Sequence, residues 1–472
     1  MKKFYILFLF INATLFATEI HKFKLNDSQK LESTYSGTFS TSTFHSAVIK
    51  NKDAGNYEII THYVNELQQT VKLDNAIFDY EPSIIAHHQK GDTLTIISHK
   101  KDILSIIRYS LKTNAFKTEN IAFEKLRNRL SQTDKTILIS YQHFRKDFSI
   151  TEISNAGTRT INLNIDENEV KRYNANFFLE NSVAVNTLEF IENGPASDTK
   201  CYYEGNYYIV TKDSEYTGIT TAMIVDISKG NTAFKNYMNK PFKQKSLTSF
   251  VINNHLFSLA GTKDDIIIKS FNLFTGEEGI FMELSNELTS FLPKDVTVED
   301  FVKEAKRMKM KPTIAINKAG ENYAVRLDII DIQSYQYSDY WFQNWMWQQN
   351  IDMMMRQNQN NFNSSIPKFG PSPNYYDYYI TDYGKTSKYT FTFFLDKNLT
   401  ILSEKDIETD YANPDKEKYL KPILENKALK DIAPALTDNE LRYICLNKIT
   451  NEVVIAGKKL EKNTTTDEDD AK

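Results

Sequence analysis

Apolar residues along this chain come in short runs, and many of those runs start directly after a turn that ends in Asn or Asp. The pattern occurs at Gly55-Asn56, Gly91-Asp92, Thr133-Asp134, Gly205-Asn206, Asn253-Asn254, Glu321-Asn322 and Asp438-Asn439. Gly, Asn and Asp accept the positive φ that a tight reversal demands, so each copy predicts a hairpin turn between two strands. The residues before the turn are strand-like in most copies, as in Ser83–His88. A third strand tends to follow, as in Ile103–Tyr109 and Ile266–Phe271, and Ala115–Ile121 reads as a fourth. One stretch departs from the pattern. Val298, Phe301, Val302, Ala305 and Met308 recur at helical spacing behind Thr297, which predicts a capped helix.

The turns are spaced 36, 42, 72, 48, 68 and 117 residues apart. A four-stranded propeller blade takes roughly 40–45 residues, so three spacings fit and the longer ones predict insertions. Over residues 20–460 the chain resembles an exported bacterial β-propeller, at the level of fold and without the motif of any one family. The Gly-His and Trp-Asp marks of WD40 blades, the paired glycines of kelch blades and the Asp-box of sialidases are absent. The expected fold is all-β: seven four-stranded blades in one domain over 18–460, with insertions near 293–311 and 333–374. Six or eight blades, or tandem β-sandwiches, are the alternatives. After the last turn only Leu441–Leu446 and Val453–Leu460 fit as following strands. Ile20–Leu25 is therefore expected to supply the missing outer strand, which would remove open sheet edges. Val183–Ile191 fits no blade.

The two ends read differently. Lys2 and Lys3, the apolar run Phe4–Ile11 and the exit Leu15-Phe16-Ala17 predict a signal peptide over 1–17. That apolar run is too short to span a bilayer, which needs about 20 residues. The expected location is periplasmic or extracellular. Residues 461–472, with Asp467-Glu468-Asp469-Asp470, predict a disordered acidic tail. Lys and Arg number 57 against 61 Asp and Glu, so nothing in the charge balance asks for nucleic acid.

Chemistry is sparse. The chain has no G-x-S-x-G elbow, no H-E-x-x-H, no phosphate-binding glycine loop and no C-x-x-C. Cys201 and Cys445 fall three blades apart in a seven-membered ring, so both are expected to be buried, unbridged thiols. The eight histidines are His21, His45, His62, His87, His88, His99, His143 and His255. His87 and His88 are neighbours on a strand and point to opposite sides, and the turn register places His88 opposite Thr95 rather than His99. No metal and no cofactor is expected. Asp264-Asp265 and Glu277-Glu278 read as solvated turn charges.

One segment stands out. Gln333–Asn374 holds all three tryptophans, Trp341, Trp345 and Trp347, among Tyr340, Phe342, Met346 and the run Met353-Met354-Met355, with almost no charge. Trp, Tyr and Met are enriched at interface cores, and Met-rich surfaces adapt to partners. The expected binding residues are Tyr340, Trp341, Phe342, Trp345, Met346, Trp347, Met353 and Met354, and the bland alternative is a lid packed on the ring. The resulting expectation is a non-enzymatic binding or scaffold protein of the cell envelope that engages a protein or a glycan. The alternative is a carbohydrate-active hydrolase or lyase with carboxylates at the ring mouth.

Overall fold

The computed structural model describes residues 17–460, apart from 40, 101, 124–125, 133, 143–146, 164, 166, 174–181, 188–190, 192–193, 239–245, 308–309, 332–386, 404–415 and 438–439. Among the described residues the strands form seven sheets, six of them built from strands consecutive in sequence. The first long strands of sheets 1 to 7 are Gln29–Phe39, Ser83–Lys90, Leu126–Ser131, Thr199–Glu204, Ser246–Ile252, Met310–Ala319 and Leu429–Leu436. Sheet 6 has three described strands, and Ile401 bridges to Leu395 at its outer edge.

Sheets 1 to 6 are tied in sequence. Tyr35 Oη lies 2.9 Å from His87 Nδ1 across sheets 1 and 2, and His88 Nδ1 lies 3.0 Å from Thr136 Oγ1 across sheets 2 and 3. Gln132 Nε2 donates to Tyr203 O at 3.2 Å, the Ser249 N–H donates to Asp213 at 2.9 Å, and Asn253 Nδ2 donates to Tyr323 Oη at 2.6 Å. Sheet 7 returns to sheet 1, where Ser36 Oγ donates to Ala433 O at 2.8 Å. Thr18–Lys24 then pairs antiparallel with Glu452–Lys459 as the outer strand of sheet 7, as the turn count required. This is a β-propeller closed through its chain ends.

Local chemistry explains the hairpins. Asn253 (φ 48°) and Asn254 (φ 65°) both adopt the left-handed conformation between the paired residues Ile252 and His255. Gly91-Asp92 and Gly205-Asn206 likewise join the first and second strands of sheets 2 and 4. Gly55-Asn56 occupies a different place. It joins Ser42–Asn51 to Asn56–Val64, the second and third strands of sheet 1. The first hairpin of that sheet turns between Phe39 and Ser42, where no Gly or Asn announces it. The 36-residue spacing therefore does not measure a repeat.

Middle strands are buried on both faces because each sheet is covered by its two neighbours. Thr93–Lys100 buries Leu94, Thr95, Ile96, Ile97 and Ser98 in succession, whereas outer strand Phe116–Ala122 stays largely open. The helix Val298–Ala305 follows sheet 5. Thr297 accepts from the Asp300 N–H at 3.1 Å, completing a capping box, and Phe301, Val302 and Ala305 are buried. The expected insertion near 293–311 ends sooner, because Met310 already begins the first strand of sheet 6.

Candidate functional site

Consecutive antiparallel strands give the ring two unlike faces. First-to-second and third-to-fourth connections lie on one, the turn face. Second-to-third connections and the passages between sheets lie on the other, the crossover face. Asn322–Asp331 pairs with Ser387–Leu395 as the second and third strands of sheet 6, with Tyr323 opposite Leu395 and Ile329 opposite Tyr389. The strand ends that flank residues 332–386, Asp331 and Ser387, therefore lie on the crossover face. Tyr340, Trp341, Phe342, Trp345, Met346, Trp347, Met353 and Met354 all lie outside the described residues.

The described residues late in the passage from sheet 3 to sheet 4 lie between the inner strands of sheets 4 and 6, toward the axis of the ring. Val183 and Ala184 pair in parallel with Lys200 and Cys201, on the free inner edge of sheet 4. The Val185 N–H donates to Cys201 O at 2.8 Å, and Thr187 Oγ1 donates to Glu204 at 3.0 Å near the turn face. The chain then returns along the first strand of sheet 6. Asn317 clamps Ile191, accepting from its N–H at 2.7 Å and donating to its carbonyl at 2.8 Å. Gly194 lies so close to sheet 6 that an added Cβ would stand 2.3 Å from Ile314 O. Lys311 Nζ donates to Ala196 O at 2.9 Å and to Asp198. The described residues of 183–198 thus run along sheet 4 and back along sheet 6, an axial hairpin that bridges the two. Val183–Ile191, which fitted no blade, belongs here.

Where this hairpin emerges, the crossover face is charged. Lys311 is opposite Ile330, close to the entry of residues 332–386. Exposed Glu215 and fully exposed Tyr216 form the neighbouring second-to-third connection of sheet 4. Burial raises the Glu215 carboxyl pKa, opposed by Lys311 and reinforced by Asp198. Beneath them Lys200 and Asp213 form a fully buried ion pair at 2.6 Å, and Asp213 also accepts from Thr220 Oγ1 at 2.8 Å. Burial lowers the Lys200 pKa, with Asp213 pulling the other way.

A second charged group lies on the same face between sheets 7, 1 and 2. Burial raises the carboxyl pKa values of Glu81 and Asp431, and the charge of Glu32 adds to both. Lys430 lies 3.6 Å from Asp431, Lys30 lies 2.6 Å from Glu32, and Lys100 Nζ sits 4.3 Å above the Tyr80 ring. These are three carboxylates with lysines between them. No Arg joins the described contacts of this group.

The histidines play structural parts where they are described. His88 is opposite Thr95, as the turn register required. His87 is ringed by Tyr35, Phe39 and Phe44, and Gly37 leaves it room, since an added Cβ there would stand 2.4 Å from the imidazole. Burial pushes His45, His62 and His87 down to about 3 and His88 to about 4. Among the described residues no group of three or more His, Cys, Asp or Glu is arranged to hold a metal ion. Cys201 and Cys445 are buried thiols without a disulfide, and burial pushes both up to about 12.

No protein-family model matches the chain, and no curated protein matches its sequence. Among solved structures, Kluyveromyces lactis Hsv2 is 9% identical, with 89% of this chain and 91% of that one covered at a TM-score of 0.31. Porphyromonas gingivalis dipeptidyl peptidase 4 is also 9% identical, with 64% of this chain and 45% of that one covered at a TM-score of 0.31. A mutant of Synechocystis apocarotenoid oxygenase is 10% identical, with 55% of this chain and 63% of that one covered, less than two thirds of its length, at a TM-score of 0.28. Superpositions this loose carry no argument. The propeller assignment rests on the strand order and joints of the chain itself.

Proposed function

We propose that this chain is an exported, non-enzymatic propeller that binds a protein or glycan of the cell envelope across its crossover face. One observation carries the reading. The aromatic- and Met-rich stretch lies in sequence between Asp331 and Ser387, the ends of two paired strands of sheet 6 on that face, next to Lys311 and the axial hairpin. A ring whose axis is occupied by its own chain offers its faces rather than a channel, and a rigid scaffold lowers the ordering cost of binding. Trp341, Trp345 and Trp347 are the proposed anchors.

The test uses a glycan array together with cross-linking in intact cells. Capture by the wild type, lost in the Trp341→Ala, Trp345→Ala, Trp347→Ala variant at unchanged melting temperature, supports the reading. Unchanged capture with a large drop in melting temperature would show a structural lid instead. Fractionation with N-terminal sequencing checks export, with a mature start after Ala17 expected.

Glu81 and Asp431, grouped with Glu32, favour a second reading, a carbohydrate-active enzyme, because the raised carboxyl pKa values of Glu81 and Asp431 suit general acid catalysis. Product release from an envelope glycan, abolished by Glu81→Gln or Asp431→Asn, would establish it in place of the binder.

A further inference from the structure

We propose that the closing strand Thr18–Lys24 is an acid-releasable latch, held against sheet 1 by an uncharged pair of histidines, His21 and His62. The two rings lie 4.5 Å apart between centroids, and Phe23 of the same strand stacks on His62 at 5.5 Å. His62 is 1% exposed, and its Nδ1 has no hydrogen-bond partner among the described residues. A proton there would have no acceptor. The charged surroundings give it little help. From the closing strand come Glu19 and Lys22, themselves 3.2 Å apart, and Glu19 favours a charge on His21. From sheet 1 come Lys72 and His45, each opposite His62 in the ladder. From sheet 7 comes Arg442, paired with Glu440 at 2.7 Å and disfavouring a charge on His45.

Burial lowers the pKa of His21 and pushes His62 down to about 3; the charge of Lys72 disfavours a proton on either ring, and a charge on His21 disfavours one on His62. Detaching the strand hydrates both rings and returns them toward about 6.5. Between about 6.5 and 3 the detached state therefore binds more protons than the latched one. Acid favours release and neutral pH favours closure. Release exposes the edge of Glu452–Lys459, a strand edge able to pair with another chain.

Hydrogen exchange of the whole protein between pH 7 and pH 5, corrected for the intrinsic rate, tests this independently of any partner. Protection of Thr18–Lys24, taken relative to strand His255–Gly261 of sheet 5, is expected to fall with pH, by up to roughly tenfold per pH unit through His62 and further through His21. In a His21→Phe, His62→Phe variant, which keeps the ring stack, the ratio is expected to stay flat. If that variant does not fold, His21→Phe alone is read for a shallower slope. A wild-type ratio independent of pH overturns the proposal, and so does a variant that falls as steeply as the wild type. Global unfolding moves both strands together and leaves the ratio unchanged.

Discussion

Where sheet 7 meets sheet 1, the chain ends are joined by a strand ladder, a short apolar core and neutral imidazoles. Ile20 and Phe23 pack against Ala47, Ile60 and Val453, and His45 Nδ1 lies 2.7 Å from Ser36 Oγ. Where sheets 4, 5 and 6 meet around the axis, the joint uses a buried ion pair, an amide clamp and a backbone contact at Gly194. The two joints solve one problem, holding segments far apart in sequence, with different chemistry. Neutral histidines hold only while the solution leaves them neutral. Among the described residues the axial joint holds no histidine: it rests on the Lys200–Asp213 pair and the Asn317 clamp. The proposed response to acid belongs to the seam, where the histidines lie.

That contrast can be broken in several ways. Acid has the largest expected effect. His45, His62 and His87 at about 3 and His88 at about 4 are neutral in the fold and protonate near 6.5 when unfolded, so stability is present above 6.5 and lost as pH falls toward 3. Each contributes a loss of about 2 kcal/mol between pH 7 and pH 5. Chemical denaturation at the two pH values should show a drop of several kcal/mol, and equal midpoints would refute the linkage.

Lys200→Met attacks the axial joint by stranding the Asp213 carboxylate, at a cost of about 3–5 kcal/mol. Adding Asp213→Asn should recover most of it, and thermal melting of the single and double variants reads the difference. Deleting Thr18–Lys24 attacks the seam. It uncovers the edge of the last sheet and part of its core, and we expect a loss of about 3 kcal/mol. A truncated protein that melts like the full chain would contradict closure through this strand. Gly194→Ala should cost about 2 kcal/mol, because the methyl group meets the Ile314 backbone rather than a flexible side chain. Smallest of all is the effect of reductant. With Cys201 and Cys445 unbridged, it should leave the melting temperature unchanged, and alkylation after unfolding should find two thiols.

Much of the fold was legible because its signals are local. The turns at Gly91, Gly205 and Asn253, the cap at Thr297 and the shortage of strands after residue 440 each follow from a few neighbouring residues. Gly55 shows the limit of that reading. A turn residue reports a reversal but not which hairpin of a sheet it serves, and the first hairpin of sheet 1 carries no such mark. The axial hairpin left only faint traces: a long spacing, the Gly194-Pro195 step, and Lys311 and Asn317 on the first strand of sheet 6.

By itself, then, the sequence determined the strands, most of their turns and the role of the N-terminal strand, because hydrogen bonding and φ preference act over a few residues. It also placed the aromatic stretch between two particular strands. The tertiary structure alone decided what lies on the axis and which carboxylates share a face. Asn317 meets Ile191 from 126 residues away, and Lys311 meets Asp198 from 113. Such contacts depend on the angle between whole sheets, and no window along the chain contains that angle.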